Sequence, residues 1–388
     1  MWRAVPPVYS PISIGALPAA LVSRGAAARE EVERRIRAEL GPRDLVLTDT
    51  GTSALRLALE VCARERPGPV ALPAYGCYDL LSAVHGAGVE IAFYDVTPET
   101  LGPDFSSLER ALREGAGTVV IAHLFGIPVD MGEVRALASA HGALVVEDAA
   151  QGIGGALGDR PLGSLGDLSV LSFARGKGRT GGSGGALLSY FPEPPPWWQP
   201  VENLHSGGGR ARSLVAMAAA WTLTRPSAYR IPLSIPGLGL GETHYREPRD
   251  PGGMPSHAAT VLSASWALAS RESGHRRTVA ARYSDWLAAR PDAHVTAIRA
   301  PEGATPGYLR FPVLCADADV PGAAVRLGIV RGYPRPLPTV GTGRSASRRD
   351  TDTRGAGILA SRLVTLPTHS RLAERDVRQV RAWLERAK

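Results

Sequence analysis

The sequence predicts an α/β fold: a large domain over 1–255 built on a mostly parallel seven-stranded sheet, then a smaller α+β domain over 256–388. Three observations predict it. Short Val-, Leu- and Ile-rich runs alternate with helical patterns up to about residue 190, as in strands joined by crossover helices. Polar residues cluster at the ends of several of these runs, where an open α/β sheet gathers its ligands. Past Phe191 the composition changes, and long helical patterns replace the alternation.

Taken in order, REEVERRIRAEL (29–40) has the charge pattern of an amphipathic helix and is closed by Gly41-Pro42. LVLT (45–48) is a short apolar strand, DTGTS (49–53) a turn, and ALRLALEVCARE (54–65) a helix. Strand, Gly/Thr/Ser turn and helix together form an anion-binding arrangement, because free N–H groups and the helix dipole point at the turn. Strands follow at 69–73, 89–96, 118–122, 143–147, 167–173 and 184–190. Among the helices between them, one reaches about His85 and one starts at Ser106, which has capping-box spacing to Glu109. Another runs from Asp130 to His141, with Glu133 completing its box and Gly142 as its stop. The 49–53 turn, Asp148 and the 172–177 segment all fall at strand ends.

Residues 191–250 read as an insertion, rich in Pro and Gly and carrying the apolar run SLVAMAAAWTLT (213–224). That run is too short to span a bilayer; it packs on the core or, over 213–240, meets a membrane surface or a partner. A helical region from 256 to 289, broken near Gly274, opens the smaller domain. LRFPVLC (309–315) and RLVTLP (362–367) are strands there, and RLAERDVRQVRAWLERA (371–387) is a helix with Leu372, Val377, Val380 and Leu384 on one face.

The 388 residues are 44% hydrophobic and 21% charged, an ordinary globular composition. A formal charge of +7 favours anionic ligands, but the arginines are scattered and no basic run points to nucleic acid. Cys62, Cys77 and Cys315 are too few and too dispersed for a disulfide framework or a zinc site, which fits a cytoplasmic setting with no metal. Pro11 and Pro18 interrupt the apolar N-terminal stretch and argue against a signal peptide.

The segment from Asp148 to Gly185 contains EDAAQGIGG and SFARGKGRTGGSGG. At its centre is Lys177; the other lysine of the chain is Lys388, and every further basic position is arginine. An ammonium loses its proton when desolvated and then attacks a carbonyl, which a guanidinium does not. Keeping one internal lysine in an arginine-rich chain therefore singles it out.

With these motifs in register, the chain resembles the DegT/DnrJ/EryC1/StrS aminotransferases. The resemblance rests on GTSALRLAL (51–59), LPAYGCYD (72–79), HLFGIPVDM (123–131), VVEDAAQGIGG (145–155) and LGSLGDLSVLSFARGK (162–177), followed by GGSGGALL. It implies the fold type I of pyridoxal-phosphate (PLP)-dependent transferases, pyridoxal 5'-phosphate as cofactor, and a homodimer. The implied reaction transfers an amino group from an amino acid such as glutamate to a keto-sugar linked to a nucleotide. By the resemblance, Lys177 is the residue that joins the cofactor and shuttles the proton, Asp148 pairs with the ring nitrogen, and Gln151 lies near the 3-oxygen. Gly51, Thr52, Ser53 and Ser172 form the phosphate cradle. Where the family stacks an aromatic on the ring this chain has Cys77, flanked by Tyr75 and Tyr78, and the choice among the three stays open. The family's partner-borne asparagine has no counterpart in a matching segment; the sole asparagine is Asn203. Other readings are a different PLP reaction, a non-sugar ketone as acceptor, or a scaffold that keeps the fold without catalysis.

Overall fold

The computed structural model describes residues 3–193, 210–235, 243–290, 294–316, 320–341 and 352–387. Asn203 and Lys388 lie outside them.

Seven strands form the main sheet, in the spatial order Asp44–Thr48, Gly185–Ser189, Leu168–Ser172, Leu144–Asp148, Thr118–Ala122, Val70–Pro73 and Ile91–Tyr94. Only Gly185–Ser189 runs against its neighbours; the pairings across the other five strands from Leu168–Ser172 to Ile91–Tyr94 are parallel. Nearly every residue of these strands is buried, as both faces are covered by helices. All seven strands coincide with predicted runs, with ends shifted by one or two residues.

Local chemistry explains where the helices begin and end. Gly51–Glu65 starts three residues earlier than its apolar pattern, because Thr50 caps it and accepts from Ser53 N at 3.0 Å. The helix expected to start at Ser106 instead spans Phe105–Arg113. Its cap is Asp104, whose carboxylate accepts from Ser107 N at 2.8 Å, a stronger acceptor than the serine hydroxyl. Met131–Ala140 is capped by Asp130, and Gly142 beyond it takes the left-handed conformation.

The predicted break at Gly274 does not occur: Ser256–Ala288 is one helix of 33 residues. A glycine in a helix interior costs about 1 kcal/mol. Buried neighbours on both sides, Ser273 and Arg276 among them, outweigh it. The helix also joins two cores. Ala258, Leu262 and Trp266 belong to the cluster around the large sheet, while Val279, Tyr283 and Trp286 belong to the cluster of the C-terminal region. That region carries a four-stranded antiparallel sheet in the order Val295–Ala297, Phe311–Cys315, Leu363–Leu366 and Val330–Arg331. Its last helix, Glu374–Leu384, buries Val377, Val380 and Leu384 as the spacing predicted, with Trp383 beside them. A small third sheet pairs Ala304–Thr305 with Ala156–Leu157, tying the chain after the long helix back to the large sheet.

The apolar run of the inserted segment is the helix Arg210–Leu223. It buries Leu214 and Met217 against Ile12, Ala20 and Val261, and leaves Val215 exposed. No helix among the described residues is long and apolar enough to cross a membrane.

Candidate active site

At the carboxyl ends of the parallel strands lies a cavity of about 140 Å³. Its lining brings together Gly51, Thr52, Cys77, Asp148, Gln151, Ser172 and Lys177, which are far apart in sequence. One wall is the start of the helix Gly51–Glu65, where backbone N–H groups lack intrahelical acceptors. Gly51 is required there: a Cβ would sit 2.7 Å from that of Ser172. Without a side chain, the helix start and the Ser172 strand end close into one cradle.

Lys177 projects from a turn after the strand Leu168–Ser172. Its N–H donates to Ala174 O at 3.3 Å, its carbonyl accepts from Ser10 Oγ at 2.6 Å, and Gly176 supplies the left-handed backbone. Asp148 faces the same space from the next strand, with Oδ1 accepting from Ala150 N at 2.9 Å. Burial pushes its carboxyl above the usual range, opposed by that amide bond and by the positive charge of Lys177. Gln151 is fixed at both ends: Oε1 accepts from Phe125 N at 3.1 Å and Nε2 donates to Tyr333 Oη at 2.9 Å.

Three expected ligands do not line the cavity. Ser53 is buried behind it and acts through Thr50, to which its N–H and hydroxyl are bonded. Tyr75 is fully buried and its hydroxyl accepts from Tyr333 N at 2.8 Å, a bond that holds the ring away from the opening. Tyr78 packs toward Tyr333 with ring centres 6.3 Å apart. Of Tyr75, Cys77 and Tyr78, the three candidates for the ring face, Cys77 alone lines the cavity, and burial raises its thiol to about 12, so it is neutral there.

The structure adds residues that the motifs did not single out: Thr50, Asp79, His123 and Arg246 also line the space. His123 has one tautomer. Nδ1 accepts from Val129 N at 3.1 Å, so Nε2 carries the hydrogen and donates to Glu147 at 3.1 Å. Glu147 is fully buried and also accepts from the amides of Gly163, Leu165 and Gly166 and from Ser169 Oγ. Burial alone would raise its pKa, but the hydrogen bond from His123, with the Gly163 and Leu165 amides, brings it below the usual range. His123 had a signal, as the first residue of HLFGIPVDM; Arg246 had none in a chain rich in arginine. Among the described residues no group of side chains has the make-up of a metal site.

Known proteins share both the sequence pattern and the fold. L-glutamine:2-deoxy-scyllo-inosose aminotransferase of Streptoalloteichus tenebrarius is 32% identical over 164 residues, 41% of this chain and 39% of that protein. UDP-N-acetyl-3-dehydro-alpha-D-glucosamine 3-aminotransferase of Acidithiobacillus ferrooxidans is 32% identical over 141 residues, 36% of this chain and 38% of that protein. The aligned segment thus spans well under half the length of these relatives. The fold match is longer. The sugar aminotransferase CalS13 from Micromonospora echinospora superposes with a TM-score of 0.75 at 22% identity, covering 98% of this chain and 99% of that one. The PLP form of the putative sugar aminotransferase Spr1654 from Streptococcus pneumoniae gives 0.74 at 18% identity, covering 99% and 98%. Residues 16–206, just under half of the chain, match the model of the DegT/DnrJ/EryC1/StrS aminotransferase family.

Proposed function

We propose that the chain is a PLP-dependent aminotransferase that moves an amino group from an amino acid, L-glutamine or glutamate, to a keto-sugar or a closely related cyclic ketone. The carrying observation is that the one internal lysine and a buried carboxylate share a cavity walled by a helix start and by Ser172. The relatives are named for amination of a cyclitol ketone and of a nucleotide-linked keto-sugar; the acceptor proposed here, nucleotide-linked or not, follows from those names.

The residues present fit the cofactor. The cradle that a Cβ at Gly51 would fill has the amides and hydroxyls a phosphate needs, from Gly51, Thr52 and Ser172, and Arg246 brings positive charge to the same space. When bound, pyridoxal 5'-phosphate supplies an aldehyde that accepts the donor's amino group and a ring that delocalises negative charge. Asp148 would hold a proton on the ring nitrogen, and that positive charge would favour its carboxylate against the burial that disfavours it. Gln151, immobilised by Phe125 and Tyr333, offers its amide at the opposite edge. Lys177 Nζ would take up the proton that leaves the donor's α-carbon and give it back as the amino group is transferred, a role that a guanidinium such as that of Arg246 does not fill. Cys77 would bring a small neutral thiol, instead of an aromatic, to the cofactor.

A homodimer is part of the proposal. Leu21, Val22, Val215, Ile231 and Ile235 leave large apolar surface exposed, which a second copy of the chain would cover. The reaction we propose belongs to the cytoplasm, where Cys62, Cys77 and Cys315, which form no disulfide, stay reduced.

Purified protein given the cofactor should turn yellow, and borohydride should fix the cofactor at residue 177. Addition of L-glutamine or glutamate should then bleach the yellow band. A colourless protein that borohydride leaves unlabelled would establish the scaffold reading instead.

A further inference from the structure

Away from the active site the fold gathers arginines that the sequence scatters. Arg3, Arg230, Arg326, Arg375 and Arg386 line one cavity of about 600 Å³, against about 140 Å³ for the cavity that holds Lys177. The two cavities share no lining residue. One wall of the larger is a face of the last helix, Glu374–Leu384. Arg375, Gln379 and Ala382 follow one another at i, i+4 and i+7, and Arg386, just past the helix end, continues the stripe at i+11. Val377, Val380 and Leu384 fill the core on the other side of that helix. Arg326, at the end of the short helix Gly322–Val325, belongs to a second wall, and Arg3 and Val5 of the N-terminal segment to a third. Arg230 opens the helix Arg230–Leu233 of the inserted segment.

Backbone pairing holds these walls together. Ala4 N donates to Pro226 O at 2.9 Å and Val5 N to Arg326 O at 2.8 Å, so the N-terminal segment ties the inserted segment to the C-terminal region. Among the described lining residues the one acid is Asp376, and it is already committed. Arg3 Nη2 donates to its Oδ2 at 2.6 Å, Arg3 Nε lies 3.2 Å from both oxygens, and Ala373 N donates to Oδ2 at 2.8 Å. Arg375 comes no nearer to it than 4.0 Å. Glu374 and Glu385, at the two ends of the helix, pair elsewhere, with Arg282 and Arg290. Five arginines less one aspartate give the lining a formal charge of +4.

Like charges set around a concave surface repel one another, and the low-dielectric walls concentrate their field on whatever anion enters. Guanidinium groups meet phosphate oxygens two at a time, as a planar fork. Arg326, Arg375 and Arg386 are exposed, so their heads are free to close on a ligand. A single phosphate engages only part of such a set, whereas a chain of phosphates reaches from one wall to the next. No aromatic side chain is among the described lining residues, so a base would find no ring to stack on. We propose that this cavity binds a small polyphosphate, free or esterified, recognised through its chain of phosphate groups. The site is independent of the aminotransferase reading, since none of its residues lines the active site.

The test is calorimetric titration of the cofactor-loaded protein, its active-site cradle filled, with tripolyphosphate. About 150 mM salt screens exposed charges more than about 8 Å apart and leaves the local site to be read. The parent should bind saturably at a single site per chain. ATP and GTP should bind with similar affinity, and adenosine should not compete. The double variant Arg375→Ala/Arg386→Ala should bind tripolyphosphate at least about 10-fold more weakly, the loss of two charge-assisted contacts at an exposed wall. Arg34→Ala/Arg113→Ala removes the same charge from helices elsewhere and should bind as the parent does. Equal weakening in the two double variants would overturn the site in favour of attraction to net charge alone. So would a parent that does not bind, or one that takes ATP and refuses tripolyphosphate, which would make the base the recognised group. Should Arg375→Ala/Arg386→Ala fail to fold, Arg326→Gln, on another wall, decides in the same titration.

Discussion

Glu147 and Arg310 both carry charged atoms that are shut off from solvent, yet the chain treats them in opposite ways. Glu147 receives hydrogen bonds from His123, three backbone amides and Ser169. Arg310 has two buried nitrogens with no partner. The carboxylate stabilises the loop Gly163–Gly166 and sets the tautomer of His123, so the back of the site is a closed network. The guanidinium is left open. One charge is matched atom by atom by its surroundings, and the other keeps unmatched donors.

Breaking the saturated side should have the largest effect. Glu147→Ala leaves five donors unmatched in the interior and should cost about 3–5 kcal/mol in urea denaturation. A cost under about 1 kcal/mol would mean that water reaches the site.

A third buried group provides a titratable comparison. Burial, with Arg276 and Arg371 nearby, brings His369 down to about 3, and its Nε2 donates to Pro6 O at 2.8 Å. The native ring therefore stays neutral while the unfolded chain, with a histidine near 6.5, takes up a proton. The stability from this neutral ring is fully present above pH 6.5 and is lost as pH falls from 6.5 toward 3. At pH 5 the loss should be about 2 kcal/mol. Denaturation of the parent and of His369→Gln at pH 7 and 5 checks this; the variant should lack that part of the slope.

The unsaturated side should respond with the other sign. Arg310→Met replaces an uncompensated buried charge by an apolar side chain of similar length and should stabilise the ligand-free protein by about 1 kcal/mol. A lower melting temperature of the variant would show that Arg310 has a structural partner. The smallest effect is expected at Cys77. With its thiol near 12, iodoacetamide at pH 7.5 should leave it unmodified over an hour in the native protein, while urea exposes it to reaction. Rapid native labelling would show a thiolate in the cavity.

The sheet could be read from the sequence because its signal is local: a run such as TVVIA or ALVVE is apolar throughout and bounded by turn residues. Lys177, Asp148 and Gln151 were legible for a related reason, since each is set in a short motif at a strand end and Lys177 is rare by type. The departures involve competition between residues. Ser106 was a credible cap until the better acceptor two positions earlier took the role. Gly274 was a credible break until burial on either side outweighed it. Tyr75 and Tyr78 flank the right position, but Tyr333, some 255 residues later, draws both rings off the cavity. His123, Arg246 and Arg310 depend on what approaches them from distant segments. LRFPVLC reads only as a strand, and one more arginine in this chain carries no message.

The uninterrupted helix Ser256–Ala288 is, at 1.5 Å per residue, a beam about 50 Å long. One end is packed in the core around the large sheet and the other in the core of the C-terminal region. With one member common to both, neither core shifts along the helix axis without carrying the other with it.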